Sequence, residues 1–158
     1  MTTHSEKKIV PYSPEQMFAL VADIRKYPEF IPWCVGMRVR SDDVADGAGR
    51  LVADMAVRFK VFREKFTSQV DLDAAAKRIH VQYLDGPFRY LNNVWSFIEN
   101  PDGSCTIDFY IDFEFKNPLL QMAMSSMFDK AVDKMVAAFV TRAYAVYGGS
   151  GRAAPMLG

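Results

Sequence analysis

Ile107-Asp108-Phe109-Tyr110-Ile111-Asp112-Phe113-Glu114-Phe115-Lys116-Asn117-Pro118-Leu119-Leu120 is the stretch in which the hydrophobic period changes, and the fold class follows from that change. Up to Phe115 the apolar residues Ile107, Phe109, Ile111, Phe113 and Phe115 alternate with Asp108, Asp112 and Glu114, the period of a half-buried strand. Asn117 then offers a cap and Pro118 a first helical position. Beyond it apolar residues recur at Leu120, Met124, Met127, Phe128, Ala131, Met135, Phe139 and Ala143, with no breaker before Gly148. The spacing predicts one helix of about 30 residues, roughly 45 Å long.

Upstream, the period of two repeats. Asn100-Pro101-Asp102-Gly103 turns back to a strand from Tyr90 to Glu99, and Asp85-Gly86-Pro87 turns that back to Ile79, Val81 and Tyr83, which alternate with Arg78, His80 and Gln82. Earlier still, Phe66 and Val70 lie opposite Arg63, Lys65, Gln69 and Asp71. They follow Leu51, Ala53, Met55, Val57 and Phe59, which lie opposite Asp54, Arg58 and Lys60 across a short turn at Val61-Phe62. Five sequential strands make an antiparallel meander. Two more strands are expected at His4–Val10 and Val35–Arg40. Between them Ser13-Pro14-Glu15-Gln16 opens a short helix ending near Ala22, and Asp23 to Phe30 adds one more turn, limited by Pro28 and Pro32. The expected fold is α+β and helix-grip: a curved antiparallel sheet of about seven strands wrapped around a long C-terminal helix, with two short helices after the first strand. Residues 1–147 form the domain, and 148–158, opening Gly148-Gly149-Ser150-Gly151, form a flexible tail.

With 158 residues, half of them hydrophobic, the chain is one domain with a sizeable core, which excludes disorder as its main state. Nineteen Lys and Arg balance nineteen Asp and Glu, so no surface is built as a whole for DNA or anionic lipid, and such a partner would be met locally. Cys34 and Cys105 stand apart, and the opening is polar, not a signal peptide; a reducing cytosol is the expected compartment. Charges interrupt every apolar run, so the expectation is a soluble chain, at most peripheral at a membrane.

A strongly curved sheet touching one helix along a line leaves a space beside it, and such a space is a candidate ligand cavity. Met124, Met127 and Met135 can repack around an irregular apolar ligand; at helical spacing they equally fill a core. His4 and His80 lie in no metal spacing with Cys34 or Cys105, so no metal site is expected. Asp108, Asp112 and Glu114 share the face opposite the apolar stripe, which leaves no catalytic pair.

Leu84-Asp85-Gly86-Pro87-Phe88-Arg89-Tyr90-Leu91-Asn92-Asn93-Val94-Trp95-Ser96-Phe97 resembles the signature of the coenzyme Q-binding START-domain family, part of the polyketide cyclase/START superfamily, which also contains bacterial ribosome-association toxins. Tyr27-Pro28-Glu29-Phe30-Ile31-Pro32-Trp33-Cys34 resembles its second block, and Phe139-Val140-Thr141-Arg142-Ala143-Tyr144-Ala145-Val146-Tyr147-Gly148 its closing one. The resemblance covers Lys8 to Gly148 and implies a lipid pocket holding ubiquinone or a related prenyl lipid. The implied role is a chaperone or carrier supporting respiratory electron transport, with ubiquinone as bound ligand and no catalytic cofactor. The alternative within the same family is a toxin that binds a ribosomal subunit and blocks translation initiation. By fold analogy alone, a polyketide cyclase or aromatase-like enzyme is a minor third.

The ligand contacts expected on this reading are Trp33, Met55 and Phe88; Leu91, Asn93, Trp95 and Phe109; and Met124, Met127, Phe128, Met135 and Phe139. Trp95 offers a flat surface to a quinone ring, and Asn92 or Asn93 a donor to its carbonyl; core anchor and backbone partners are the other readings. On the ligand reading, Trp95→Ala weakens lipid retention with the fold intact. Tyr27, Phe30, Ile31 and Trp33 form either a mobile lid or a fixed plug. At the hairpin, Arg58, Lys60, Arg63 and Lys65 flank Val61 and Phe62, a pattern suited to transient inner-membrane contact, to ribosomal RNA, or to a plain solvated face.

Overall fold

The computed structural model describes residues 2–60, 62–125 and 127–148. Its strands are β1 (Thr2–Val10), β2 (Cys34–Asp42), β3 (Ala48–Phe59), β4 (Phe62–Asp73), β5 (Arg78–Asp85), β6 (Phe88–Glu99) and β7 (Cys105–Phe115). Its helices are α1 (Pro14–Ala22), a 3₁₀ helix (Ile24–Glu29), α2 (Pro118–Ser125) and α3 (Phe128–Tyr147). Every strand lies where alternation put one, with ends longer by a few residues. Ser13 caps α1 reciprocally: its hydroxyl accepts from the Gln16 N–H and its own N–H donates to the Gln16 side chain.

The strands form one antiparallel sheet in the order β1-β7-β6-β5-β4-β3-β2. The meander runs from β2 to β7, and β1 closes the far edge by pairing with β7 from Thr2–Phe113 to Val10–Cys105. The helices cover the inner face. Tyr147 donates to the Gln16 carbonyl at 2.7 Å, which ties the end of α3 to α1. At the β5–β6 turn Gly86 has φ 141°, and a Cβ there would stand 2.6 Å from that of Phe66, so the turn closes over β4 only with glycine. The expected flexible tail lies, from residue 149 on, outside the described residues.

The single long helix is corrected. Met127, with φ −105° and ψ −9°, lies between two separate helices, and α3 is 20 residues long. Asn117 does cap α2, its side chain accepting from Leu119 and Leu120 N–H, and Gln121 accepts from Phe115 N–H, which holds α2 against the end of β7. Two hydrophobic clusters explain the break. Met124 belongs with Val57, Phe62, Phe88, Phe113 and Phe115, whereas Val132, Val136, Phe139 and Ala143 belong with the larger cluster around Trp95. A straight rod cannot follow a curved sheet into both, and Ser125, the last residue of α2, is a weak helix former.

Asp54 is a second correction. Alternation assigns it to the solvent face, yet it is 5% exposed. It accepts from the Thr67 hydroxyl and from Arg40 Nε at 2.9 Å. These two bonds, Thr67 first, hold its carboxyl below the usual range despite burial. Because the folded carboxyl titrates below the unfolded one, its stabilisation is complete above the unfolded value of about 4 and is lost as pH falls through the folded value. Asp54→Asn therefore lowers stability at pH 6 and narrows its gap to the parent as pH drops from 5 towards 2, measured by urea unfolding; a gap constant over that range would refute the linkage.

Candidate functional site

On the inner face, small residues of neighbouring strands lie side by side. Ala53 of β3 pairs with Ser68 of β4, between the larger pairs Leu51–Val70 and Met55–Phe66. Opposite them α3 presents Ala131 and Val132. A cavity of about 180 Å³ results, bounded by β3 to β7, by α3 and by Met124 of α2, and closed in part by Tyr27 and Trp33. Among the residues lining it there is no Asp, Glu, His, Lys, Arg or Cys, and the polar side chains are those of Tyr27, Ser68, Asn93 and the Trp33 and Trp95 indoles.

Eleven of the twelve expected contact residues line this space. Trp33, Met55, Phe88 and Leu91 do so, as do Asn93, Trp95 and Phe109, and from the helices Met124, Phe128, Met135 and Phe139. Met127 does not. It sits at the helix break, half-buried against the Phe113–Phe115 cluster, because the turn between α2 and α3 takes it off the inner stripe. Phe62 is corrected in the other direction: expected at an exposed tip, it is buried against Phe115 at 5.5 Å and lines the cavity. Position 62 begins the inward face of β4, so the tip of the turn falls at Lys60, with φ 56°. Val61 lies outside the described residues. Arg58, Lys60, Arg63 and Lys65 are exposed.

Trp95 is 3% exposed, stacked along Phe97 and met edge-on by Phe109 and Phe139 at 4.8 and 5.2 Å. Its N–H donates to Asn93 Oδ1, and Asn93 Nδ2 donates to the Tyr110 carbonyl. Trp95→Ala would thus remove a central anchor at about 3–5 kcal/mol, so the expectation that it spares the fold does not stand. Asn92 faces outward, where its Oδ1 meets His80 Nε2. The Tyr27–Trp33 segment has the bonds of a plug. Tyr27 and Phe30 pack on Phe139 at 5.3 and 5.1 Å, the Tyr27 hydroxyl donates to Val21 O, and Trp33 Nε1 donates to Ala131 O of α3 at 3.2 Å.

Sequence reasoning missed Ser68, and it placed Ala53 and Ala131 on apolar faces without making them cavity residues. Their signal was smallness on a buried face, whose effect on packing a hydrophobicity pattern does not register. It also missed the meeting of His4 with Asp129 at 2.9 Å and with Glu6 at 3.1 Å. Burial by itself would lower the His4 pKa, but the bonds to Asp129 and Glu6 outweigh it and hold the ring above its ordinary value. His4, Glu6 and Asp133 bring their ligating atoms within 4.8 Å of one another. This grouping depends on β1 lying under α3 and has no local sequence signature.

Residues 10–140 match the family described as polyketide cyclase / dehydrase and lipid transport. The chain belongs to that family. Among its relatives is the ribosome association toxin RatA of Escherichia coli K12, 36% identical over 143 residues, which are 90% of this chain and 87% of the relative. Another is the mitochondrial coenzyme Q-binding protein COQ10 homolog B of Xenopus laevis, 35% identical over 149 residues, 92% of this chain and 59% of the relative. The solution structure of the 18 kDa protein CC1736 of Caulobacter crescentus superposes with a TM-score of 0.79 at 38% identity, over 94% of this chain and 99% of that one. Both names implied by the three sequence blocks therefore recur among the relatives, and the helix-grip architecture is shared.

The two thiols are unsuited to chemistry. Burial pushes Cys34 up to about 11 and Cys105 up to about 12. Neither should react with a disulfide reagent within minutes at pH 8, and both should react at once in denaturant; fast labelling of the native protein would contradict this placement.

Proposed function

We propose that the protein binds ubiquinone or a related prenyl lipid in the cavity beneath α3 and acts as its chaperone or carrier for the respiratory membrane. The observation carrying this reading is the partly closed, almost wholly apolar hollow between sheet and helix. Met55, Met124 and Met135 on its wall can shift to admit an isoprenoid of irregular shape. A wall without carboxylate, imidazole or amine suits holding a ligand rather than transforming it. The name of the COQ10 relative adds support.

Delivery needs contact with a bilayer. No described helix is long and apolar enough to cross one. Leu119 and Met122 stand 75% and 74% exposed on α2, while Leu120 and Met124 of the same helix pack with Phe59 and Phe62 of the β3–β4 hairpin. Apolar side chains beside Arg58, Lys60, Arg63 and Lys65 suit brief docking on an anionic surface, worth about 1 kcal/mol per basic residue close to the lipid.

Solvent extraction of the protein purified from a quinone-making host should release a prenyl quinone. Ala53→Leu, which places a larger side chain in the hollow, should release far less while unfolding at the same or a higher temperature. Parent protein that repeatedly yields no prenyl lipid would overturn the carrier reading.

The RatA relatives favour a second reading, binding to a ribosomal subunit through the same basic hairpin. Added to a cell extract, the protein would then shift ribosomes towards free subunits in a sucrose gradient, and Lys60→Glu with Arg63→Glu would abolish the shift. An unchanged profile with excess parent protein removes this reading.

A further inference from the structure

Ser68 is 7% exposed, and its Oγ is the one buried side-chain polar atom without a hydrogen-bond partner among the described residues. It lies on the inner face of β4 and lines the cavity. Each of the other polar side chains on that wall has at least one hydrogen-bond partner. Asn93 spends its oxygen on Trp95 and an N–H on the Tyr110 carbonyl, Tyr27 donates to Val21 O, and Trp33 donates to Ala131 O. Ser68 alone offers the cavity an uncommitted hydroxyl.

Its neighbours decide what can answer it. Along β4 it sits between Phe66 and Val70, and across the sheet it pairs with Ala53. The residues beside it offer a water no second side-chain partner: Phe66 and Val70 flank it on β4 and Ala53 faces it on β3. A ligand oxygen needs only the one. A pure hydrocarbon would fill the space and leave the hydroxyl unpaired, which is costly in a low-dielectric interior.

We propose that Ser68 is the polar anchor of the cavity and selects ligands that carry a carbonyl or hydroxyl oxygen on an otherwise apolar ring, over prenyl hydrocarbons of the same length. The inference rests on the proposed lipid-binding role of this cavity and adds to it a donor and a ligand class. The oxygenated ring lies over the Ala53–Ser68 pair, where the side chains are smallest, and Phe66, Phe62 and Phe59 line the space left for the isoprenoid chain.

The test compares parent and Ser68→Ala by displacement of a fluorescent apolar dye, using ubiquinone with two isoprene units and an acyclic isoprenoid hydrocarbon of similar size. The parent should favour the quinone, and the variant should bind it about tenfold more weakly, the usual loss when one buried hydrogen bond is removed, with hydrocarbon binding unchanged. The empty variant should unfold at the same or a higher temperature, since an unpaired hydroxyl is replaced by a methyl group. Unchanged quinone affinity, or an equal loss for both probes, would overturn the assignment while leaving the cavity reading in place. If the parent displaces dye with neither probe, the lipid-binding reading falls, and this assignment falls with it.

Discussion

A helix laid across a concave sheet can meet it closely only where side chains are large enough to bridge the gap, and the whole arrangement depends on where those bridges stand. Phe139 is one. It is fully buried, with Trp95, Tyr27 and Phe30 meeting it edge-on at 5.1 to 5.3 Å. Phe128 against Phe113 at 4.1 Å is the other. Between them α3 offers Ala131 and Val132 over Ala53 and Ser68 of the sheet. Large residues at both ends and small ones in the middle hold helix and sheet apart, so the hollow follows from the spacing of residue sizes.

Such a hollow has a cost. At about 24 cal/mol per Å³ of unfilled volume, 180 Å³ corresponds to about 4 kcal/mol, a substantial part of the 5–15 kcal/mol by which domains are usually stable. A larger side chain at Ala53 or Ala131 would take up part of it. A chain that leaves this space open beside well-packed aromatic clusters has a structure suited to an occupant, and the apolar wall states what kind. On the proposed assignment, the hydroxyl of Ser68 favours an occupant bearing an oxygen.

The surroundings of the cavity differ in how firmly they are held. Its Trp33 side is pinned to α3 by the indole bond to Ala131 and by ring packing on Phe139. The other side includes Met124 of α2, a short helix separate from α3 that carries exposed Leu119 and Met122 on its outer surface. Basic residues of the hairpin lie at this second side, on the strands whose Phe59 and Phe62 reach the interior. Charge on the hairpin and exposed apolar surface on α2 thus flank the same aromatic cluster.

Local pattern determined the strands, their meander and the capped helix at Pro14, because period-two alternation and turn chemistry are properties of neighbours in the chain; the family resemblance together with that pattern pointed to eleven of the cavity residues. The family was legible too, from the blocks around Gly86-Pro87, Pro28 and Arg142. The break at Met127 was decided by tertiary structure, since it answers to the curvature of a sheet that no segment of α2 or α3 encodes. Phe62 turned inward and Asp54, on the outer face as alternation has it, was covered by Arg40 and Thr67, because both outcomes depend on partners from neighbouring strands. Empty space is the plainest case. Ala53, Ser68 and Ala131 are ordinary residues in the sequence, and only the distance imposed by Phe139 and Phe128 makes their small size into a cavity.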